Sequence, residues 1–126
     1  MKNPVNLIII CVLSLMLLSC TKPKKTIFIL NDNYVSLKIA SGTTRQELEK
    51  ISAKLLKEKN IKIDFSKSTF KKNGLIRDLK LEVDCQDGYS GTAEATNEAL
   101  QTDYYGFERT YNKVSDSSFS TGQLKE

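Results

Sequence analysis

The sequence has no histidine and no tryptophan, and it contains only three cysteines and two prolines. Without histidine, the chain lacks the commonest general base of enzymes and the usual nitrogen ligand of zinc. A Cys-His pair or a Ser-His-Asp triad cannot form, and no Ser-x-x-Lys motif sits in a setting that would desolvate its lysine. We therefore expect a chain that is not an enzyme and that holds neither a metal nor another cofactor.

Apolar residues are concentrated in one run near the N-terminus. Lys2 precedes a run from Leu7 to Leu18 that only the small Ser14 interrupts, which is typical of an export signal. Twelve helical residues rise about 18 Å, less than the roughly 30 Å of a hydrocarbon core. The pattern predicts a signal peptide over residues 1–19 that is cleaved, rather than a permanent transmembrane helix.

Cys20 follows this run in a distinctive setting. The sequence Leu17-Leu18-Ser19-Cys20 resembles the lipobox of bacterial lipoproteins, in which a small residue precedes a cysteine. We predict that the Cys20 thiol carries diacylglycerol through a thioether and that Cys20 becomes the N-terminus. The alternative is an ordinary cleaved signal with an incidental cysteine. Since each buried methylene contributes about 0.8 kcal/mol, two or three palmitate-like chains would hold the protein at a membrane.

The mature chain would be nearly balanced in charge. Without Lys2 it has 18 basic and 15 acidic residues, an excess too small to indicate a nucleic-acid partner. Residues 20–25 are rich in lysine and predict a lipidated, solvated tether, with attraction to anionic headgroups as the alternative interpretation. The roughly 107 mature residues suit one small domain, which we place at 26–111.

The first part of this domain carries strand and helix patterns. Residues 26–30 and 34–39 are β-branched and aromatic around an Asn-Asp-Asn turn, which predicts a β-hairpin. Thr44 and Glu47 match a capping box, and Leu48, Ile51 and Leu55 recur at helical spacing. We expect a helix that ends near Lys59, with Asn60 as a left-handed cap.

The second part predicts more strands. Residues 61–66 and 75–85 alternate on either side of Asn73-Gly74, a strong hairpin turn. Residues 89–95 and 104–107 predict edge strands, and the polar residues 112–126 predict a disordered tail. The expected fold is α+β: two layers, one helix on a mostly antiparallel sheet, in the order β-β-α-β-β plus edge strands. The alternative is a small β-sandwich of two hairpins with a peripheral helix.

The stretch from Thr44 to Leu79 combines the helix cap, the spacing Ile61-x-Ile63-x-Phe65 and the turn Phe70-Lys71-Lys72-Asn73-Gly74-Leu75-Ile76. It resembles a module at the periplasmic end of membrane-embedded zinc metallopeptidases related to β-lactam sensor-transducers, also found in small lipoproteins of similar bacteria. The resemblance implies a periplasmic accessory domain. It carries over no catalytic residue, because the peptidase part needs a His-Glu-x-x-His zinc site and this chain has no histidine.

Three features remain as candidate sites. Cys85 is left without a disulfide partner, and its position on the apolar strand face predicts a buried structural thiol rather than a redox site. The acidic loop from Asp84 to Gly88 lacks the spacing of a calcium loop and predicts a solvated turn. The densest aromatic group is a candidate partner contact, with packing of an edge strand as the alternative. It comprises Tyr104, Tyr105, Phe107 and Tyr111.

These features lead to a functional hypothesis by elimination. We expect a non-catalytic envelope lipoprotein that is attached to membrane lipid through Cys20 and presents a small domain to a protein partner. The alternatives are a small-ligand-binding lipoprotein with a pocket between helix and sheet, and an unrecognised enzyme. Thr21 lacks the acidic charge that retains some lipoproteins at the inner membrane, and no acidic run for surface export follows. We therefore predict the periplasmic face of the outer membrane.

Replacement of Cys20 by serine tests the lipobox. Serine has no thiol for the thioether, so Cys20→Ser should abolish incorporation of radiolabelled palmitate and release a folded, soluble domain from the membrane fraction. Cys11→Ser, which alters a thiol inside the predicted signal, should keep both the label and the membrane association. Lipid labelling that persists in Cys20→Ser would contradict the prediction.

Overall fold

The computed structural model describes residues 22–111 and 118–126, so the predicted signal and Cys20 lie outside the described residues. Eight strands and two helices follow one another along these ranges. In chain order they are β1 Ile27–Leu30, β2 Tyr34–Ile39, α1 Arg45–Lys59, β3 Lys62–Asp64, β4 Thr69–Phe70, β5 Ile76–Asp84, β6 Ser90–Ala95, α2 Asn97–Thr102, β7 Tyr104–Thr110 and β8 Phe119–Leu124.

The first sheet has the antiparallel order β1-β2-β7-β8. Its β1–β2 hairpin is confirmed, and the backbone N–H of Asn31 bonds to the carbonyl of Tyr34 at 3.0 Å across the turn. β7 pairs with β2 on one side and with β8 on the other. The prediction that residues 104–107 form an edge strand is therefore wrong, because a further strand follows them in the chain and covers that edge.

That further strand lies in the predicted disordered tail. Residues 119–124 form β8 and pair with β7 from Arg109–Phe119 to Tyr104–Leu124. The tail prediction is wrong for this stretch, and residues 112–117 lie outside the described residues. Backbone hydrogen bonds of the ladder do not depend on side-chain polarity, so a strand with only two large apolar side chains can still form against a well-ordered neighbour.

The second sheet is built around β5. β3 and β4 pair with one side of β5, and β6, the predicted edge strand of residues 89–95, pairs with the other. The Asn73–Gly74 hairpin is confirmed: Gly74 has a φ of +91°, and the N–H of Lys71 bonds to the carbonyl of Leu75 at 2.8 Å. The register shifts at Thr69/Phe70. The predicted alternation of buried and exposed residues in β5 therefore holds from Leu79 onward. It is broken at Ile76, which is fully buried although it lies three residues before the buried Leu79.

Helix α1 matches its prediction closely. The Thr44 hydroxyl accepts a hydrogen bond from the N–H of Glu47 at 3.1 Å, the Glu47 carboxylate accepts from the N–H of Thr44, and Asn60 has a φ of +56°. The predicted stripe of Leu48, Ile51 and Leu55 is buried. α2, which was not predicted, has only six residues and buries Leu100. Six residues are too few for a helical period to be visible in sequence.

One core joins both sheets and both helices, which confirms the α+β class with antiparallel sheets. The strands form two sheets rather than the single sheet expected, a feature of the sandwich alternative. α1 is not peripheral, since its buried stripe belongs to the same cluster as Leu37, Phe107 and Leu81. Within residues 22–111 and 118–126, no helix is both long and apolar enough to cross a bilayer.

The elements run between two ends of the domain. At the near end, where the chain enters, the N–H of Lys24 bonds to the Ser41 hydroxyl at 3.2 Å and its carbonyl accepts from the N–H of Gly42 at 2.7 Å. The predicted tether is therefore too long, because the folded domain begins at Lys24. The far end holds the β1–β2 turn, the last residue of α1 and the loop from Asp84 to Tyr89, which Gln86 joins to Asn60 through its side chain at 2.8 Å.

The interior position of β7 makes Gly106 a sensitive residue. A Cβ at this position would overlap the carbonyl oxygen of Leu37 on β2. Gly106→Ala should therefore lower the free energy of unfolding by about 2 kcal/mol or more, measured by urea denaturation. Ser120→Ala on the neighbouring β8, whose residue is exposed, should change it by less than about 0.5 kcal/mol. Equal stabilities for the two variants would contradict the pairing of β7 with β2.

Candidate functional site

The four aromatic residues expected to contact a partner do not form one surface. Phe107 is fully buried and Tyr104 is 6% exposed, so neither is available to a partner and the prediction is wrong for both. Alternation along β7 points Tyr105 and Phe107 into the core and Tyr104 to the opposite face, where the Lys24 ammonium lies over its ring. Tyr111 is half-buried at the far end.

At the far end, Tyr111 belongs to a cluster around Arg109. The Arg109 side chain is almost fully buried, and its guanidinium lies 4.5 Å from the ring centroid of Tyr89 and 4.4 Å from that of Tyr111. Its Nη2 atom donates to the Asp87 carboxylate at 2.6 Å, and Nη1 donates to the carbonyls of Thr110 and Ser118. This charge is therefore paired and hydrogen-bonded, as a buried charge must be.

The pKa values of three ionisable groups in this cluster are raised above their ordinary values. Burial, followed by the charge of Asp87, raises the pKa of the Cys85 thiol to about 11. Burial likewise raises the pKa of Tyr111. Although burial opposes it, the hydrogen bond to Asp87 and its charge raise the pKa of Arg109. All three groups therefore keep their protons at neutral pH, and none is poised to act as a nucleophile or a general base.

Cys85 itself is 4% exposed and is a free thiol among the described residues, so its predicted burial is confirmed. The acidic loop that follows is a turn whose carboxylates have partners: Asp84 accepts from the N–H of Gln86 at 2.8 Å, and Asp87 binds Arg109. Among the residues that the structure describes, no group of three or more acidic or thiol side chains is placed to hold a metal ion.

An open groove of about 550 Å³ lies between α1 and the second sheet, towards the far end. We call it the α1 groove. Leu56, which follows the buried Leu55 on α1, is 46% exposed and lines one side of the groove. The lining residues come from α1, β3, β5 and β6: Ser52, Leu56, Lys62, Ile63, Asp64, Glu82, Val83, Asp84, Ser90, Gly91 and Thr92.

The charged lining of the α1 groove is acidic, with three carboxylates against one lysine. Asp64 on β3 lies directly opposite Glu82 on β5, and like charges in that position repel each other. Lys67 offsets part of this repulsion through an ion pair with Glu82 at 3.6 Å. The hydroxyl and the backbone N–H of Ser66 donate to Asp64 and hold the pKa of that carboxyl below its usual value. The groove thus stays anionic at neutral pH.

The α1 groove is suited to binding rather than to reaction. It is open to solvent and combines an exposed leucine with carboxylates, so it offers both an apolar and a charged contact to another molecule. Sequence analysis did not identify it, because its carboxylates read as the ordinary solvated face of β3 and β5. Two features of the sequence could have indicated the groove. Leu56 lies at the edge of the helical stripe, and acidic residues lie on the two adjacent strands β3 and β5.

The raised pKa of Cys85 makes stability depend on alkaline pH. Below pH 9 the thiol is protonated in both states, whereas between its ordinary pKa of 9.0 and about 11 only the unfolded chain loses the proton. The free energy of unfolding should therefore fall across this window by about 2–3 kcal/mol from this group. Urea titrations of Cys85→Ala should show a correspondingly flatter decline. Tyr111→Phe, which keeps the thiol, should retain the fall between pH 9 and 10, and an unchanged slope in Cys85→Ala would contradict the assignment.

Comparison of the chain with protein-family models, with curated proteins and with solved structures finds no match. The resemblance of residues 44–79 to a periplasmic accessory module therefore stays a prediction.

Proposed function

We propose that this chain is a non-catalytic lipoprotein of a bacterial cell envelope, anchored through Cys20, that presents the α1 groove to a protein partner. The observation that carries the proposal is the groove itself: an exposed apolar side chain, Leu56, beside three carboxylates. A segment that inserts an apolar side chain and places lysine or arginine near Asp64, Glu82 and Asp84 would complement it.

The position of the groove relative to Cys20 supports this proposal. Lys24 is four residues after Cys20. An extended chain spans at most about 3.3–3.6 Å per residue. The near end would therefore lie within about 14 Å of a lipidated Cys20. α1 starts at the near end and rises about 22 Å over its 15 residues. The α1 groove, beside its second half, would face away from the membrane, where a partner in the periplasm can reach it.

A small-ligand lipoprotein is the second candidate, because about 550 Å³ falls within the range of small-molecule sites. The core between α1 and the sheets favours it less. Leu48, Leu55 and Ile61 are completely buried there, so the layer between helix and sheet is filled. A ligand would have to lie in the open groove with much of its surface in water. A protein segment would be shielded from water on its other side by the rest of the partner protein.

Site-specific photocrosslinking in intact cells tests the protein-binding proposal. A photoreactive phenylalanine analogue in place of Leu56 should yield a covalent adduct with an envelope protein, identified by mass spectrometry. The same analogue at Ile29, an apolar residue of β1 that is 40% exposed and lies outside the groove, serves as the position control and should give no such adduct.

Charge variants then test the acidic lining. Glu82→Gln should reduce the Leu56 adduct at least threefold, because it removes a carboxylate that a basic segment would contact. Glu94→Gln, an exposed acid of β6 that does not line the groove, should leave the yield unchanged. Thermal melting of both variants should stay close to that of the parent. Failure of Leu56 to give any adduct, or adducts identical to those from Ile29, would contradict the proposal.

A further inference from the structure

Cations from three separate parts of the chain gather at the near end. Lys22 and Lys25 belong to the entering segment, Arg45 begins α1, and Lys71 and Lys72 form the turn between β4 and β5. Lys71 is half-buried, and the other four side chains are exposed. We call these five residues the basic face. The sequence pattern indicated attraction to anionic headgroups only for the lysines of residues 20–25, and the fold adds Arg45, Lys71 and Lys72 to them.

Backbone hydrogen bonds hold the three parts together. The N–H of Gly42 bonds to the carbonyl of Lys24 at 2.7 Å, which fixes the entering segment. The N–H of Arg45 bonds to the carbonyl of Gly74 at 3.0 Å, and the N–H of Ile76 bonds to the carbonyl of Thr43 at 2.8 Å. The basic face is therefore part of the folded domain and not a property of a loose tether.

The charges of the basic face are not neutralised inside the described chain. The salt bridges between described residues involve other cations, namely Lys38, Lys54, Lys67 and Arg109. The Arg45 guanidinium lies 4.5 Å from the ring centroid of Phe70, a contact that orients the cation without removing its charge. Glu47 lies at the near end too, where its carboxylate accepts hydrogen bonds from the Thr26 hydroxyl and the N–H of Thr44 and forms no salt bridge with these cations. Asp103 and Glu126 border a separate depression with Lys24, Tyr104 and Lys125.

We propose that the basic face docks on the anionic lipid headgroups of the membrane that holds Cys20. This inference rests on the proposed lipid anchor, which keeps Lys24 within about 14 Å of the acylated residue. An anionic membrane surface attracts each nearby lysine or arginine by about fivefold in association, and the attraction acts within a Debye length of roughly 8–10 Å. Because the anchor already confines the domain, five such cations suffice to select one orientation. That orientation turns the α1 groove away from the bilayer.

Acylation of lysines by a water-soluble reagent, read by mass spectrometry, tests the docking without any mutation. The protein is purified from membranes with its native N-terminus and reconstituted into vesicles of phosphatidylcholine, either alone or with about one third phosphatidylglycerol. Labelling of Lys22, Lys25 and Lys72 should fall at least threefold on the anionic vesicles. Labelling of Lys50 and Lys57, which are exposed on α1, should not change. Equal labelling of the basic face on both vesicles would overturn the docking proposal.

A matched pair of charge variants provides the second measurement. Lys71→Gln/Lys72→Gln should restore labelling of Lys22 and Lys25 on anionic vesicles, whereas Lys50→Gln/Lys57→Gln removes the same charge from α1 and should not. If both pairs act alike, net charge and not the basic face governs the contact. Protection that appears only when an envelope protein is added would assign the basic face to a protein and overturn the lipid proposal.

The two proposals fail in different ways. A chain that does not float with neutral vesicles contradicts the lipid anchor, whatever the basic face does. The same preparation still tests the basic face, since binding of the unanchored chain to anionic vesicles should then weaken severalfold in Lys71→Gln/Lys72→Gln and not in Lys50→Gln/Lys57→Gln. If the chain floats with both kinds of vesicle but its lysines show no charge-dependent protection, the result supports the lipid anchor and contradicts docking by the basic face.

Discussion

The five residues from Ser41 to Arg45, which lead from β2 into the first turn of α1, connect every layer of this domain. Thr43 is fully buried, and its hydroxyl bonds to that of Thr26 at 2.6 Å and accepts from the N–H of Ala40 at 3.1 Å. The backbone of the same segment bonds to the entering chain, to α2 through the carbonyl of Leu100, and to the start of β5. Buried backbone groups must be paired, so this junction leaves little freedom in how the two sheets meet. It also fixes where α1 begins.

Two surfaces of opposite character follow from that junction. α1 starts beside the incoming chain and ends at the far end, so its first residue, Arg45, joins the basic face while its second half borders the acidic groove. The net charge of the whole chain is only +4, and the composition alone therefore suggests no charged partner. The domain therefore carries a basic surface at the near end and an acidic groove towards the far end, a difference that its net charge hides.

Local signals predicted much of this fold, whereas long-range pairing limited the rest. The capping box at Thr44, the left-handed Asn60 and the Asn73–Gly74 turn each involve neighbouring residues, and the structure has all three. β8 pairs with β7, the preceding strand of the chain, whose backbone supplies the order that the polar residues of β8 do not indicate. The interior place of β7, and hence the burial of Phe107, could not be known without β8. The α1 groove and the basic face combine residues from several elements, so no local pattern contains them.

Tyr111, one of the four aromatic residues assigned from sequence to a partner contact, has a different role at the far end. Tyr111 and Tyr89 enclose the Arg109 guanidinium, Arg109 binds Asp87, and the side chain of Gln86 donates to Asn60, the C-cap of α1. These contacts tie the loop after β5 both to β7 and to the helix. Asp84, Ser90 and the end of α1 border the α1 groove on either side of that loop, so fixing the loop fixes the width of the groove. A buried arginine is difficult to desolvate, and one that only filled space could be replaced by an apolar residue. Here the Arg109 contacts instead hold in place the loop that borders the acidic, solvent-facing groove.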